Sequence, residues 1–255
     1  MSDVKGGQGH RMNGRTRASG SGTGRGRRLG LTRRKVVDAA VVLIEQEGPG
    51  AFSLRKLAGE LGVETMSLYN HVPNRDALLD DVAGVLLGRI DFSGADSGGW
   101  QDRVRAHAAA FRATARLHPK AFPLVCTRPT QSPAVLAAVR SALAAIAELG
   151  LPPREAVHVL RAYTAFITGT ILRELGYSLT LGARGPGQTR QLIEEITALG
   201  DPLLTPVAAH LAGNDPDDEF HDGLELLIAG LAVRAGVPYD GGPAGEAGAG
   251  DRVSR

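Results

Sequence analysis

Residues 54–78 carry two short helical patterns on either side of a glycine, and this stretch constrains the fold more than any other part of the chain. It reads LRKLAGELGVETMSLYNHVPNRDAL. Leu57, Leu61 and Leu68 fall where two crossing helices need aliphatic packing residues, and Gly62 supplies a permissive backbone between them. The pattern predicts a helix-turn-helix, although a plain helical hairpin has a similar sequence.

The segment before this pair favours the helix-turn-helix over the hairpin. Between Thr32 and Gly48, apolar residues recur at helical spacing, which predicts an amphipathic first helix that supports the other two. These residues are Val36, Val37, Ala40, Val41, Leu43 and Ile44. The Gly-Pro-Gly sequence that starts at Gly48 then ends the helix.

The second helix of the pair leaves a polar and aromatic face exposed. Hydroxyl, amide and thioether groups on such a face suit base edges and thymine methyl groups in a DNA major groove. We predict base contacts from Thr65, Met66, Ser67 and Asn70. We predict phosphate contacts, which set the register on the duplex, from Ser53, Arg55, Tyr69, His71 and Arg75.

Composition restricts the class of protein. The chain has 255 residues, 43% of them apolar, enough for one large folded domain or two small ones. Its single cysteine, Cys126, excludes an internal disulfide framework, and no Cys/His spacing typical of a zinc site is present. No apolar run has the length of a membrane span or the pattern of a signal peptide. We therefore expect a cytoplasmic protein without a membrane partner, a metal or a cofactor.

Positive charge is concentrated at the N-terminus. Residues 1–35 hold ten Lys or Arg and one acid, whereas the other 220 residues hold nineteen basic and twenty-six acidic side chains. Residues 1–30 are rich in Gly, Ser, Arg and Thr, which predicts a disordered basic tail. Its arginines could insert into a minor groove, add electrostatic attraction to DNA, or form a solvated extension without a specific contact.

The remaining pattern predicts an all-α protein. A three-helix DNA-binding domain is expected at residues 31–76, a helical body at 77–236 and a flexible tail at 237–255. Helices are predicted at 75–90, 100–118, 135–149, 153–175 and 218–234, with a mobile loop at 176–201 that holds at least one helical turn. The last two helices are strongly apolar, which predicts an intersubunit four-helix bundle unless they pack only within the chain.

Several motifs together resemble a known family. In the N-terminal domain they are the stretches 53–58, 61–63 and 68–72; in the body they are Trp100-Gln101, Thr127-Arg128-Pro129 and the run 223–226 after Phe220. The chain resembles, over residues 32–236, the TetR family of bacterial repressors and specifically its tetracycline-repressor branch. The resemblance implies an all-helical homodimer that binds palindromic double-stranded operator DNA and is released by a small-molecule inducer.

The resemblance breaks at the metal site of that branch. Tetracycline repressors bind a magnesium-tetracycline chelate through histidines and a glutamate, and the corresponding positions fall near Asp91, Leu124 and Arg173. Leu124 offers no ligand atom, and Arg173 would repel a divalent cation. Met66 and Asn70 also replace residues of the tetracycline repressors. The sequence therefore predicts a metal-independent inducer and an operator other than the tetracycline operator.

Candidate inducer contacts come from the inward faces of the body helices. We predict a mainly apolar cavity with a few polar groups, lined by His107, Phe111, Leu124, Arg128, Tyr163, Phe166, Thr170 and Arg173. Each of these residues could instead serve packing. Arg173, for example, could pair with an acid such as Glu174 of another subunit.

Two other classes of function compete with a ligand-responsive repressor. An enzyme is disfavoured because the sequence has no Gly-rich phosphate loop, nucleophile elbow or paired metal-ligand motif. A nonspecific or architectural DNA-binding protein, driven by the arginine-rich tail and without a ligand, is the alternative that the sequence leaves open.

Overall fold

The computed structural model describes residues 30–128, 132–177, 186–213 and 215–241, and in these ranges the regular secondary structure is helical throughout. The tail predicted at residues 1–30 lies outside the described residues except for Gly30. The helices are α1 (Arg33–Glu47), α2 (Leu54–Leu61), α3 (Thr65–Leu68), α4 (Arg75–Gly88), α5 (Trp100–Leu117), α6 (Pro123–Thr127), α7 (Pro133–Ala145), α8 (Pro153–Glu174), α9 (Pro186–Leu199), α10 (Ala208–Ala212) and α11 (Pro216–Ala235). None of the helices in the described ranges is both long and apolar enough to span a membrane.

Caps fix the ends of the first helices. The Thr32 hydroxyl accepts a hydrogen bond from the Lys35 amide at 3.3 Å at the start of α1, and Ser53 does the same for α2 through the Lys56 amide. Gly62 ends α2 with a φ of 63°, a left-handed conformation that disfavours a side chain. The chain can therefore turn sharply from α2 into α3, as the helix-turn-helix prediction requires.

Helix α4 connects the DNA-binding domain, which we call the head and which comprises α1–α3, to the body. It begins at the Asn74 cap, ends two residues before the predicted end, and packs against α1, α6 and α7. Ion pairs Arg33–Asp81 and Arg89–Asp38 add to its contact with α1. Helix α4 is therefore in contact with the head on one side and with the body on the other.

Helices α5, α8 and α11 form the centre of the body. Ala108, Ile171 and Ile228 are almost completely buried where these helices meet. The sequence indicated that α8 is strongly apolar, but within one chain only Ile167, Thr170 and Ile171 of this helix are buried. The rest of its apolar surface is half-buried or exposed.

Two predictions for the C-terminal half differ from the structure. A mobile loop was expected at 176–201, but α9 is a regular helix of 14 residues and contacts α10. A flexible tail was expected from Val237, but the Gln101 side chain bonds the backbones of Pro238 and Asp240, and the Tyr239 hydroxyl donates to Glu225 at 2.7 Å. The predicted start of that tail is therefore too early.

Candidate DNA-reading surface and inducer cavities

The outer surface of α3 and of the turn after it carries the predicted base contacts. Met66 is 72% exposed, Asn70 is exposed, and Thr65 and Ser67 are half-buried. Leu68 of the same helix is completely buried and fixes α3 against the rest of the head. The structure thus places the four residues at a surface that a DNA groove could reach.

The predicted phosphate contacts occupy different environments. Arg55 is exposed, and its side chain forms no hydrogen bond or ion pair with the described residues. Tyr69 is also exposed and His71 is half-buried, whereas the Ser53 hydroxyl already caps α2. Arg55 and Tyr69 are thus the most accessible members of this set.

Arg75 has a structural role that the sequence did not predict. Its guanidinium donates to the backbone oxygens of Pro49, at 2.7 Å, and of Phe52, at 3.3 Å, and lies 5.9 Å from the centre of the Phe52 ring. These contacts hold the loop between α1 and α2 against the start of α4. A phosphate contact by Arg75 remains a prediction, and it would use the N–H groups that these bonds leave over.

Two adjoining cavities lie in the body. The first, which we call the α6 cavity, has a volume of about 240 Å³; the second, the α11 cavity, has about 220 Å³. The α6 cavity is lined by side chains of α5, α7 and α8, by Leu87 of α4 and, around α6, by Phe122, Val125, Cys126 and Arg128. The α11 cavity is lined by α5, α7, α8 and, on α11, by Leu226, Leu227, Ile228, Gly230, Leu231 and Arg234. Both walls are mainly apolar, as is usual for small-molecule sites.

His107 and Tyr163 stand between the cavities and belong to the walls of both. His107 Nε2 lies 3.4 Å from the Ala138 carbonyl oxygen, which only accepts, so we assign the ring proton to Nε2. Nδ1 then accepts from the Tyr163 hydroxyl at 2.7 Å. Burial lowers the pKa of His107 to about 4 and raises the pKa of Tyr163, so both groups are neutral near pH 7.

The eight predicted cavity residues separate into two groups. His107 and Tyr163 line both cavities, and Phe111 and Arg128 line the α6 cavity. The other four line neither of the two described cavities: Leu124 and Thr170 are buried elsewhere, Phe166 packs against Phe220, and Arg173 pairs with Glu219 at 2.6 Å. Glu174, the alternative partner named for Arg173, instead accepts from Arg112 and Arg116 within the chain.

The sequence did not single out the walls that α7 and α11 contribute. Val139 and Ala142 of α7, and Leu227 and Leu231 of α11, line one or both cavities. Their Ala, Val and Leu side chains carry no chemistry that distinguishes a cavity from ordinary packing. The only available signal was the unusually small average size of the α7 side chains.

Hydrogen bonds join one end of α6 to α1 of the head and the other end to α4. Before α6, the Glu45 carboxylate at the end of α1 accepts from the Ala121 amide at 2.7 Å, and the Lys120 ammonium donates to the Gln46 carbonyl at 2.6 Å. After α6, Arg128 Nε donates to Asp80 of α4 at 2.6 Å, and its Nη2 donates to Asp76 at 3.2 Å. A wall of the α6 cavity is therefore fixed to α1 and to α4.

Sequence comparison gives two matches that together cover most of the chain. Residues 36–82 match the tetR family of bacterial regulatory proteins, and residues 94–235 match the tetracyclin repressor-like C-terminal domain. The chain belongs to the TetR family. As a member of this family it is a DNA-binding transcriptional repressor and not an enzyme.

Individual relatives agree with the assignment to the TetR family. A helix-turn-helix transcriptional regulator of Saccharopolyspora erythraea is 30% identical over 213 residues, which cover 81% of this chain and 87% of that protein. The class D tetracycline repressor of Escherichia coli is 32% identical over 207 residues, 80% of this chain and 90% of that repressor. The crystal structure of Streptomyces coelicolor ActR with actinorhodin superposes with a TM-score of 0.71 at 28% identity, covering 81% and 99% of the two chains. The predicted all-helical TetR fold is confirmed.

In this TetR-family chain, the residues at positions 91, 124 and 173 do not form a magnesium site. Asp91 accepts from the Ser93 amide at 3.0 Å, which lowers the pKa of its carboxyl group, Leu124 is a buried aliphatic residue, and Arg173 is held by Glu219. Across the described ranges, no three His, Cys, Asp or Glu side chains lie close enough together to bind a metal ion.

Proposed function

We propose that this TetR-family repressor binds a palindromic operator as a homodimer and is released from it by a small, mainly apolar inducer that needs no metal ion. The observation that carries the proposal is the attachment of α6 to the head at one end, through Glu45 of α1, and to the connecting helix α4 at the other, through Arg128. An inducer in the α6 cavity would touch the same helix that these residues hold.

The attachment suggests how binding in the body could reach the DNA. An inducer that needs more room beside Phe122 or Val125 would displace α6, and Arg128 would carry that displacement to Asp80 on α4. Because α4 packs against α1, the head would move with it. A dimer must hold its two heads about 34 Å apart to fit successive major grooves, so a small rotation of each head weakens binding. The inducer must bind the displaced state more tightly than the DNA-bound state.

Exposed surfaces on α8 and α11 support a homodimer. Along α8, Ala162, Ala165 and Gly169 are exposed at intervals of three and four residues; along α11, Leu226 and Val233 are 75% and 83% exposed. Such stripes of small and apolar residues permit close packing of helices. The two helices of one subunit and their copies in a second would form the four-helix bundle that the sequence predicts.

Similarity to ligand-binding relatives and the local chemistry support an inducer other than tetracycline. One relative is named a tetracycline repressor, and ActR has been crystallised with actinorhodin. In this chain the salt bridge of Arg173 to Glu219 puts a cation where a metal chelate would need an anionic ligand. We therefore expect calorimetry to detect no tight, magnesium-dependent binding of tetracycline, and such binding would contradict the proposal.

The first test is selection of the preferred sequence from a random pool of DNA duplexes at near-physiological salt. We expect a palindrome with two half-sites about one helical turn apart. A matched variant without residues 1–29 should recover the same palindrome, with lower affinity because it has lost positive charge. Recovery of no consensus by the full chain would contradict the proposal and favour nonspecific binding through the arginine-rich tail.

The selected operator then allows a test of release. Small molecules are added to the protein–operator complex, and dissociation is followed by fluorescence anisotropy of the labelled duplex. We expect at least one uncharged, mainly apolar compound to dissociate the complex without added magnesium. A protein that binds such compounds in the body and never releases the operator would contradict the ligand response but not the DNA binding.

A further inference from the structure

We infer that the α6 and α11 cavities form one divided inducer site, in which an elongated, uncharged aromatic molecule occupies both cavities and bonds the Tyr163 hydroxyl at its centre. The inference rests on the proposed ligand-responsive function and specifies the chemical class of the inducer. It also assigns a ligand-binding role to the α11 cavity, which lies on the far side of the His107–Tyr163 pair from α6. The outer wall of this cavity includes Ala162 and Leu226, so the cavity lies directly beside the surface proposed for the dimer.

Volume is the first argument for a joint site. Cavities that bind drug-sized molecules span about 300–1,000 Å³. The α6 cavity, at about 240 Å³, and the α11 cavity, at about 220 Å³, each fall below this range, whereas the two together fall within it. The two cavities also share Ala142, Leu160, His107 and Tyr163, so they meet along a common wall. One molecule that reaches both is therefore a better fit than a compact molecule in either.

Rotation of one side chain would connect the two cavities. His107 is held firmly, since the Phe92 ring stacks on it at 4.5 Å and the Ala138 carbonyl accepts from its Nε2. Tyr163 is held to His107 by one hydrogen bond, from its hydroxyl to Nδ1. The Tyr163 ring is thus the movable part of the partition, and its hydroxyl oxygen keeps lone pairs that can accept a hydrogen bond from a ligand.

Charge argues for a neutral molecule. Arg128, at the α6 end, is paired with Asp80, and Arg234, at the α11 end, is paired with Glu155 at 3.0 Å. No Asp, Glu or Lys belongs to either cavity wall in the described ranges. A charged ligand would therefore lose water without gaining an unpaired opposite charge. An apolar molecule with a hydrogen-bond donor near its middle matches this lining.

A fluorescent probe with these properties is N-phenyl-1-naphthylamine, which joins two aromatic groups through a single N–H. Indole is a smaller probe, of a size that fits one cavity. We expect the full-length protein to bind one N-phenyl-1-naphthylamine per chain and two indoles per chain, one for each cavity. N-phenyl-1-naphthylamine should displace both indoles. One indole per chain, or displacement of only one, would overturn the inference.

Matched substitutions test each cavity separately. Val139 lines only the α6 cavity and Val159 only the α11 cavity, so Val139→Phe and Val159→Phe each fill one of them. Each substitution should lower the affinity for N-phenyl-1-naphthylamine by about tenfold or more, because one aromatic group of the probe loses its apolar surroundings. Each should also reduce the number of bound indole molecules to one per chain. The control Val42→Phe, at a position that is 57% exposed on α1, should change neither value. Wild-type binding of the probe by Val159→Phe would overturn the inference.

The central hydrogen bond has its own test. The probe 1-benzylnaphthalene has nearly the same shape, with a CH₂ group in place of the N–H. Tyr163→Phe should lower the affinity for N-phenyl-1-naphthylamine by about threefold or more, because this probe donates a hydrogen bond. The affinity for 1-benzylnaphthalene, which has no donor, should stay unchanged. Equal effects on both probes would contradict a central hydrogen bond to Tyr163.

Operator binding separates failure of this inference from failure of the proposed function. Val159→Phe that still binds the selected palindrome is folded, so loss of probe binding in that variant reports on the α11 cavity alone. If release by inducers persists while Val159→Phe leaves both probes unchanged, the divided site is wrong and the repressor function stands. If both probes fill both cavities but no uncharged ligand releases the operator, the divided site stands and the ligand response fails.

Discussion

Asn70 is exposed in the turn that directly follows α3, and its side chain carries both a donor and an acceptor. A side-chain amide can bond adenine through two atoms at once, and such a pair contributes about 1–3 kcal/mol of discrimination between bases. We expect Asn70→Ala to relax the preference at one base pair in each half-site. Sequence selection with the variant measures this effect, and an unchanged preference at every position would refute the contact.

Arg55 provides the contrast to Asn70, because a phosphate contact carries no sequence information. We expect Arg55→Ala to lower the affinity for all DNA sequences to a similar extent. The slope of log affinity against log salt concentration should become shallower by about one unit per half-site. Binding titrations on the selected palindrome and on an unrelated duplex, at several salt concentrations, measure both quantities. A loss confined to the palindrome would instead place Arg55 at a base edge.

His107 gives the protein a pH-dependent stability. Burial lowers its pKa from 6.5 to about 4, so the folded chain binds its proton less readily than the unfolded chain does. Its stabilising contribution is therefore complete above pH 6.5 and is lost as the pH falls towards 4, by about 3 kcal/mol in total. Denaturant unfolding between pH 7 and pH 4 should show a shallower loss of stability for His107→Gln than for the wild type. Parallel pH profiles would contradict this assignment.

In the proposed mechanism, helix α6 as a whole couples the body to the head through its contacts with α1 and α4. Arg128→Met removes the bonds from the end of α6 to Asp80 and Asp76 on α4 while keeping a side chain of similar length. We expect the variant to keep its affinity for the operator and for the inducer within a few-fold, and to lose most of the inducer-driven release. Fluorescence anisotropy with and without inducer measures this coupling.

Asp80→Asn tests the same ion pair from α4, so combining it with Arg128→Met should add little to either substitution alone. Arg89→Met is the matched control, since it removes the ion pair between Arg89 and Asp38 without touching α6. Full release by Arg128→Met, or equal loss of release in Arg89→Met, would show that the coupling does not run through the end of α6.

The helices themselves show which features a sequence alone can predict. Caps and apolar periodicity are local, so the bounds of α1, α4 and α5 agree with prediction to within two residues. The length of helix α9 was underestimated, because Gly and Pro residues crowd the segment before it and outweighed the apolar spacing of Leu192, Ile193 and Ile196. The partners of Arg75 and Arg173 were not predictable, because they lie 23 to 46 positions away along the chain.

At the scale of the whole molecule, the head and the body are continuous. The described residues between Thr32 and Gly241 form one compact unit, because α4 packs against the head on one side and against the body on the other. The boundary predicted between residues 76 and 77 falls in the first turn of that helix. The proposed inducer would therefore act on a body and a head that share a helix, which is what a release mechanism based on head rotation needs.

Recognition of a palindrome and release by head rotation both require the proposed dimer, which the exposed stripes of α8 and α11 would form. Ala165 lies in the exposed stripe of α8, where an arginine would place a charge within the proposed four-helix bundle. We expect Ala165→Arg to convert the protein to monomers in analytical ultracentrifugation and to lose binding to the full palindrome, while circular dichroism stays unchanged. Ala109→Arg, an exposed alanine on α5, is the control that should remain dimeric. A dimeric Ala165→Arg protein with wild-type operator affinity would mean that α8 does not form the interface, and the apolar face that α8 exposes would then need another partner.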